Sequence, residues 1–134
     1  MEKSDLRQIL IDQQEIFNNK KEYIERELDL DYYLKGNEIV IISGIRRCGK
    51  STLLKLLSEK FSKKAAYINF DDVKFVSFSL ENFEDIEKNV LEIYGKNITY
   101  YLDEIQNIPY WEKWVNNLYS KNIKVFVTGS NSNL

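Results

Sequence analysis

Apolar residues recur at helical spacing in the first stretch of the chain. Leu6, Ile9, Leu10, Phe17, Ile24 and Leu28 stand among Gln, Glu and Lys, which predicts helix over 4–28, with Asn18-Asn19 as the place where it breaks. Gly36-Asn37 marks a turn. EIVIISG, 38–44, is a near-continuous β-branched run, the pattern of a strand buried on both faces in a parallel sheet. STLLKLLSEKF then puts Leu53, Leu54, Leu57 and Phe61 on one helical face. AAYINFDD (65–72) is a second apolar run ending in acids, and VKFVSF (73–78) reads as a short extra strand or a loop. Ser79 is placed as an N-cap, with Phe83, Ile86, Val90 and Ile93 defining a helix to about Tyr94 that Gly95 stops. NITYYLDE (97–104) is a third strand, Pro109 opens a helix carrying Trp111, Trp114, Val115 and Leu118, and IKVFVTGS (123–130) is a fourth strand. Strands alternating with helices predict an α/β fold whose parallel sheet is wound by right-handed crossovers.

Composition narrows the chemistry. A chain of 134 residues with 43% hydrophobic and 30% charged residues has enough material for one core. The net charge of −2 gives no global basic field to attract nucleic acid. With no histidine and a single cysteine, Cys48, an internal disulfide, a His-based zinc site and a Ser-His-Asp triad are excluded. The polar start, MEKSDLRQIL, and the lack of a long apolar run predict neither a signal peptide nor a membrane span, so the expected location is cytoplasmic.

One segment carries more specific chemistry. GIRRCGKS, from Gly44 to Ser51, fits G-x-x-x-x-G-K-[ST] between a predicted strand and a predicted helix. Backbone N–H groups from Gly44 through Ile45, Arg46, Arg47, Cys48 and Gly49 to Lys50 would form a concave nest for a phosphate, and the helix that starts there adds its dipole. Gly44 and Gly49 supply positive φ and close approach. Lys50 would bridge the β- and γ-phosphates, the Ser51 hydroxyl would bind Mg²⁺, and Thr52 follows on the first turn. YYLDE carries Asp103 and Glu104 to the carboxyl end of a strand, the edge at which open α/β sheets bind ligands. Asp103 is a candidate for the Mg²⁺ shell, and Glu104 for the base or water positioner at the γ-phosphate. VFVTGSNS brings Thr128, Ser130 and Asn131 to the same edge, between the two acids and the phosphate. Asp71 and Asp72 also follow a strand, and either face this edge or cap a local turn.

GIRRCGKSTLL, YINFDD, YLDEIQNIPYWEKWVNNLY and VFVTGSNS, in this order, resemble the AAA-type nucleotide-binding domain of a large family of bacterial and archaeal ATPases, over nearly all of 39–134. The resemblance implies a P-loop NTPase three-layer sandwich with a mainly parallel sheet in the order 1-4-3-2 and ATP with Mg²⁺ as its ligands. It implies that Gly44, Gly49, Lys50 and Ser51 are the Walker A residues, Asp103 and Glu104 Walker B, and Ser130 or Asn131 the sensor beside the γ-phosphate. Ile45 and Cys48 replace the proline and valine common in the family's loop. Relatives continue with a fifth strand, a helical lid and a further domain, so 1–37 is expected to be an N-terminal helical segment and 38–134 an incomplete core. An arginine finger is expected beyond Leu134.

The expected activity is therefore ATP binding with Mg²⁺-dependent hydrolysis, weak in this chain because no finger arginine is present. The alternative is a nucleotide-binding regulatory or interaction module without significant hydrolysis. A guanine reader of the N-K-x-D type is absent from the sequence, which argues against a GTPase. If the fifth strand is missing, 39–43 becomes a sheet edge, and self-association through it is expected. Nothing in the sequence specifies a nucleic-acid or protein partner.

Overall fold

The computed structural model describes residues 1–19, 34, 36, 38–43, 49–61 and 64–130. Helix α1 (Lys3–Asn19) is followed by strand β1 (Val40–Ser43) and helix α2 (Lys50–Phe61). Strand β2 (Ala65–Asn69), helix α3 (Glu81–Tyr94), strand β3 (Thr99–Asp103), helix α4 (Trp111–Ser120) and strand β4 (Val125–Gly129) complete the alternation. All pairings are parallel and the strand order is β1-β4-β3-β2, as the resemblance implied.

Period-two alternation sorts the strands onto two layers. Ile42, Tyr101 and Phe126 face α2, where they pack with Leu54 and Leu57. Tyr101 and Phe126 lie ring on ring, with centroids 5.0 Å apart. Ala66, Ile68, Tyr100, Leu102, Val125 and Val127 face the other way, against α1, α3 and α4. There Trp114 stacks on Phe83 at 4.8 Å, at the centre of a cluster that also takes in Phe70 and Tyr100. Helix α1 contributes Leu6, Ile9 and Leu10 to this layer. Further along it reaches over the β2 edge, so that Phe17 stacks on Tyr67, whose position is in the α2-facing layer.

Three expectations are corrected. The β1 run is not buried on both faces: Ile42 is buried but Ile41 is 49% exposed. Ile41 lies in register with Val127, on the side covered by α1, α3 and α4, and among the described residues those helices leave it open. Residues Val73–Ser77 form a 3-10 turn, neither strand nor loop, with Asp72 accepting a hydrogen bond from Lys74 N–H as its cap. Ser79 does not cap α3 by its own side chain. Instead Asn82 turns back and accepts from the Ser79 N–H at 2.9 Å, the reverse half of a capping box. Gly95 ends α3 at φ 87°, as its placement in the sequence suggests. The part of the predicted first helix beyond residue 19 lies outside the described residues.

Candidate nucleotide site

Parallel strands deliver their carboxyl ends to one edge of the sheet, and the N-terminus of α2 opens onto the same edge. Gly49 precedes α2 with φ +76°, and a Cβ there would meet nothing within 4 Å, so glycine is needed for the backbone angle and not for space. The helix that follows places Lys50 and Ser51 against the ends of β3 and β4.

Lys50 is 5% exposed. Its Nζ donates to the Gly129 carbonyl at 2.7 Å and to Ser130 Oγ at 2.9 Å, and lies 3.5 Å from Glu104 Oε1. Ser130 in turn donates to the Glu104 carboxylate, 2.5 and 2.6 Å from its two oxygens, and Gln106 Nε2 donates to Oε2 at 2.7 Å. Burial pushes the Glu104 carboxyl up, but the hydrogen bonds from Ser130 and Gln106 and the Lys50 charge outweigh it and hold the group below the usual carboxylate range. Glu104 is ionised at neutral pH.

Asp103 is 2% exposed and is held by three hydroxyls. Ser51 Oγ and Tyr67 Oη each donate to Oδ2 at 2.6 Å, and Thr128 Oγ1 donates to Oδ1 at 2.5 Å. Thr128 Oγ1 also accepts from the Glu104 N–H at 3.0 Å, so one fully buried hydroxyl ties the two acids together. Glu104 itself sits in the left-handed region at φ 53°, ψ 49°. That conformation costs a non-glycine residue about 1 kcal/mol, and it lets neighbouring acids engage different partners: Asp103 binds Ser51, Tyr67 and Thr128, Glu104 binds Lys50, Ser130 and Gln106. The Asn107 side chain holds the turn by donating to the Glu104 carbonyl at 3.1 Å.

The structure thus brings together Lys50, Ser51, Asp103, Glu104 and Ser130, with Gly49 at the helix start and Thr52 half-buried in its first turn. Gly44, Ile45, Arg46, Arg47, Cys48 and Asn131 lie outside the described residues. Asp72 caps the 3-10 turn and also accepts from Gln13 Nε2 of α1 at 3.3 Å, and Asp71 accepts at 3.4 Å from Asn107, the side chain that donates to the Glu104 carbonyl. Two participants escaped the sequence reading, Tyr67 and Gln106. Gln106 lies two residues beyond Glu104 and is reached only because the chain turns left-handed there. Tyr67 shares strand parity with Asn69, which registers with Asp103. Burial, and then the Asp103 charge, push its phenol above the ordinary range.

The relatives of this chain match it over most of its length. It is 33% identical over 129 residues to an uncharacterized protein of Methanocaldococcus jannaschii, covering 95% of this chain and 28% of that one. An uncharacterized protein of Haemophilus influenzae is 31% identical over 125 residues, covering 85% of this chain and 31% of its own length. A second M. jannaschii protein is 29% identical over 132 residues, covering 87% and 27%. The chain therefore spans less than a third of the length of the curated relatives it matches. Residues 36–134, which contain every group gathered at the sheet edge except Tyr67's neighbours on α1, match the family model for the AAA domain, and the chain belongs to this family of nucleotide-binding domains.

Proposed function

We propose that the chain binds ATP with Mg²⁺ at the edge formed by α2, β3 and β4, and that Glu104 supports hydrolysis of the γ-phosphate. The observation that carries this reading is the 2.6 Å contact between Ser51 Oγ and Asp103 Oδ2, beside the Lys50–Glu104 pair. A hydroxyl and a carboxylate are hard oxygen donors and suit Mg²⁺. Among the described residues no group of three or more His, Cys, Asp or Glu side chains is arranged to cage a metal, which fits an ion that arrives with water and phosphate ligands. When bound, Mg²⁺ offsets the negative charge of the phosphates.

The chain's own residues have distinct tasks in this reading. Lys50 leaves the Gly129 carbonyl for phosphate oxygens, which meet a full charge in place of a dipole. Ser51 and Asp103 hold the cation. Glu104, ionised, orients a water toward the γ-phosphorus and takes its proton as the bond from phosphorus to the bridging oxygen of ADP breaks. Ser130, in contact with both Lys50 and Glu104, relates phosphate occupancy to the position of that carboxylate.

A second reading, binding without turnover, is favoured by one observation: both Glu104 oxygens already accept hydrogen bonds, from Ser130 and Gln106. The two readings separate on one pair of measurements. Calorimetric titration with Mg-ATP should give binding that Lys50→Ala abolishes, and binding retained in that variant would sink the site assignment. Phosphate release should fall at least about 100-fold in Glu104→Gln; equal rates in the two proteins would leave the binding module as the function.

A further inference from the structure

We propose that Tyr67 is a positioning residue for Asp103, that it holds this carboxylate ready for the divalent cation, and that α1 sets Tyr67 in turn. The inference deepens the Mg-ATP reading and rests on it.

Strand β3 lies between β4 and β2, and Asp103 is gripped from both neighbours. Thr128 of β4 donates to Oδ1, and Tyr67 of β2 donates to Oδ2. Ser51, the third donor, also belongs to Oδ2 but sits on the first turn of α2. Ser51 is the group whose oxygen a cation would claim. The flanking hydroxyls are the ones that keep the carboxylate plane fixed while Ser51 reorients. The hydroxyl of half-buried Tyr67 shares the one oxygen that Ser51 also uses, which places it beside the cation ligands, whereas the fully buried Tyr101 hydroxyl has no hydrogen-bond partner among the described residues.

The phenol's own position is set from outside the loop and the strand ends. Its ring lies on Phe17 of α1, with centroids 4.2 Å apart and planes 9° from parallel. Its backbone N–H donates to Gln14 Oε1 at 2.8 Å. Lys55 of α2 sits 4.9 Å over the Phe17 ring. Helix α1 thus reaches Asp103 through one stacked ring and one hydroxyl, and Lys55 joins the same stack to the helix that carries Lys50 and Ser51. Groups that orient metal ligands from behind affect cation affinity strongly, commonly by tenfold or more.

The test separates the cation from the nucleotide. ATP binding to the full chain is measured by calorimetry in EDTA and again with saturating MgCl₂, and the ratio of the two Kd values reports the cation's contribution. Tyr67→Phe, which keeps the stack on Phe17, should leave the EDTA Kd within about twofold and lower the Mg²⁺-dependent gain by about tenfold. Phe17→Leu, which keeps the hydroxyl but loosens the ring, should move the gain in the same direction by less. A Tyr67→Phe protein with an unchanged gain would overturn the proposal, and so would equal losses with and without Mg²⁺, the mark of a purely structural role. Asp103→Asn serves as reference: if it retains the full gain, Asp103 does not hold the cation and the Mg-ATP reading itself fails, whatever Tyr67 does.

Discussion

Thr128 links the two acids at the sheet edge through one hydroxyl. It is fully buried, accepts from the Glu104 N–H and donates to Asp103 Oδ1. Valine has nearly the same shape but neither function, so Thr128→Val leaves a buried N–H and a carboxylate lone pair without partners. Each orphaned group costs about 1–3 kcal/mol, and the expected loss in urea unfolding for the two is about 2–6 kcal/mol. Thr128→Ser keeps both hydrogen bonds and should recover most of the difference; if the serine variant is as unstable as the valine one, packing and not hydrogen bonding is the cause. At this scale the sequence was informative where spacing along the chain alone defines the chemistry. Lys50 and Ser51 follow from the loop pattern, and Asp103 and Glu104 from their place after an apolar run. Tyr67 was not legible, because its partner is set by the register between β2 and β3, which appears nowhere in the linear pattern.

Among the elements, α1 is the one whose purpose the apolar spacing understated. Leu6, Ile9, Leu10 and Phe17 gave its helical face, but the polar residues between them do as much. Gln13 Oε1 accepts from Asn69 N–H at 2.9 Å while its Nε2 donates to the Asn69 carbonyl at 3.0 Å, as a neighbouring strand would. Gln14 Oε1 accepts from the Tyr67 N–H at 2.8 Å, while its Nε2 turns along the helix to donate to Asn18 Oδ1 at 2.9 Å. Two buried amides thus satisfy three backbone groups along the open edge of β2, which would otherwise present them for another chain to bind. Gln14→Ala should therefore speed amide hydrogen exchange at Tyr67, and Gln13→Ala at Asn69, each with a stability loss of about 1–3 kcal/mol. Exchange rates unchanged at both amides would show that water replaces the glutamines without penalty. A glutamine reads as surface in a sequence, and only the docking of the helix along the strand edge reveals it as an edge cap. The half-buried β1 was misread for a related reason. Its apolar run is real, but the coverage of each face depends on where the helices lie.

For the molecule as a whole, the two sheet edges differ. The β2 edge is capped at Tyr67 and Asn69 by the α1 glutamines, whereas β1 has β4 as its single strand neighbour among the described residues and leaves Ile41 49% exposed. Parallel sheets are ordinarily covered on both faces, and an apolar strand open at its edge recruits another strand. We predict that copies of this chain associate through Val40–Ser43. The association is concentration-dependent, because a four-residue strand offers few hydrogen bonds and its free energy comes mainly from covering Ile41. Ile41→Lys places a charge on that face and should shift the population to monomer. Its side chain is already half in solvent and points away from the layer that holds α2, so Mg-ATP affinity at the edge formed by α2, β3 and β4 should stay within about twofold. Size-exclusion chromatography with light scattering over a concentration series decides the matter. Wild type that stays monomeric at high concentration removes β1 as an interface. A lysine variant that associates as strongly as wild type moves the contact elsewhere, and the exposed Val73 and Val76 of the 3-10 turn would then be the next apolar surface to substitute.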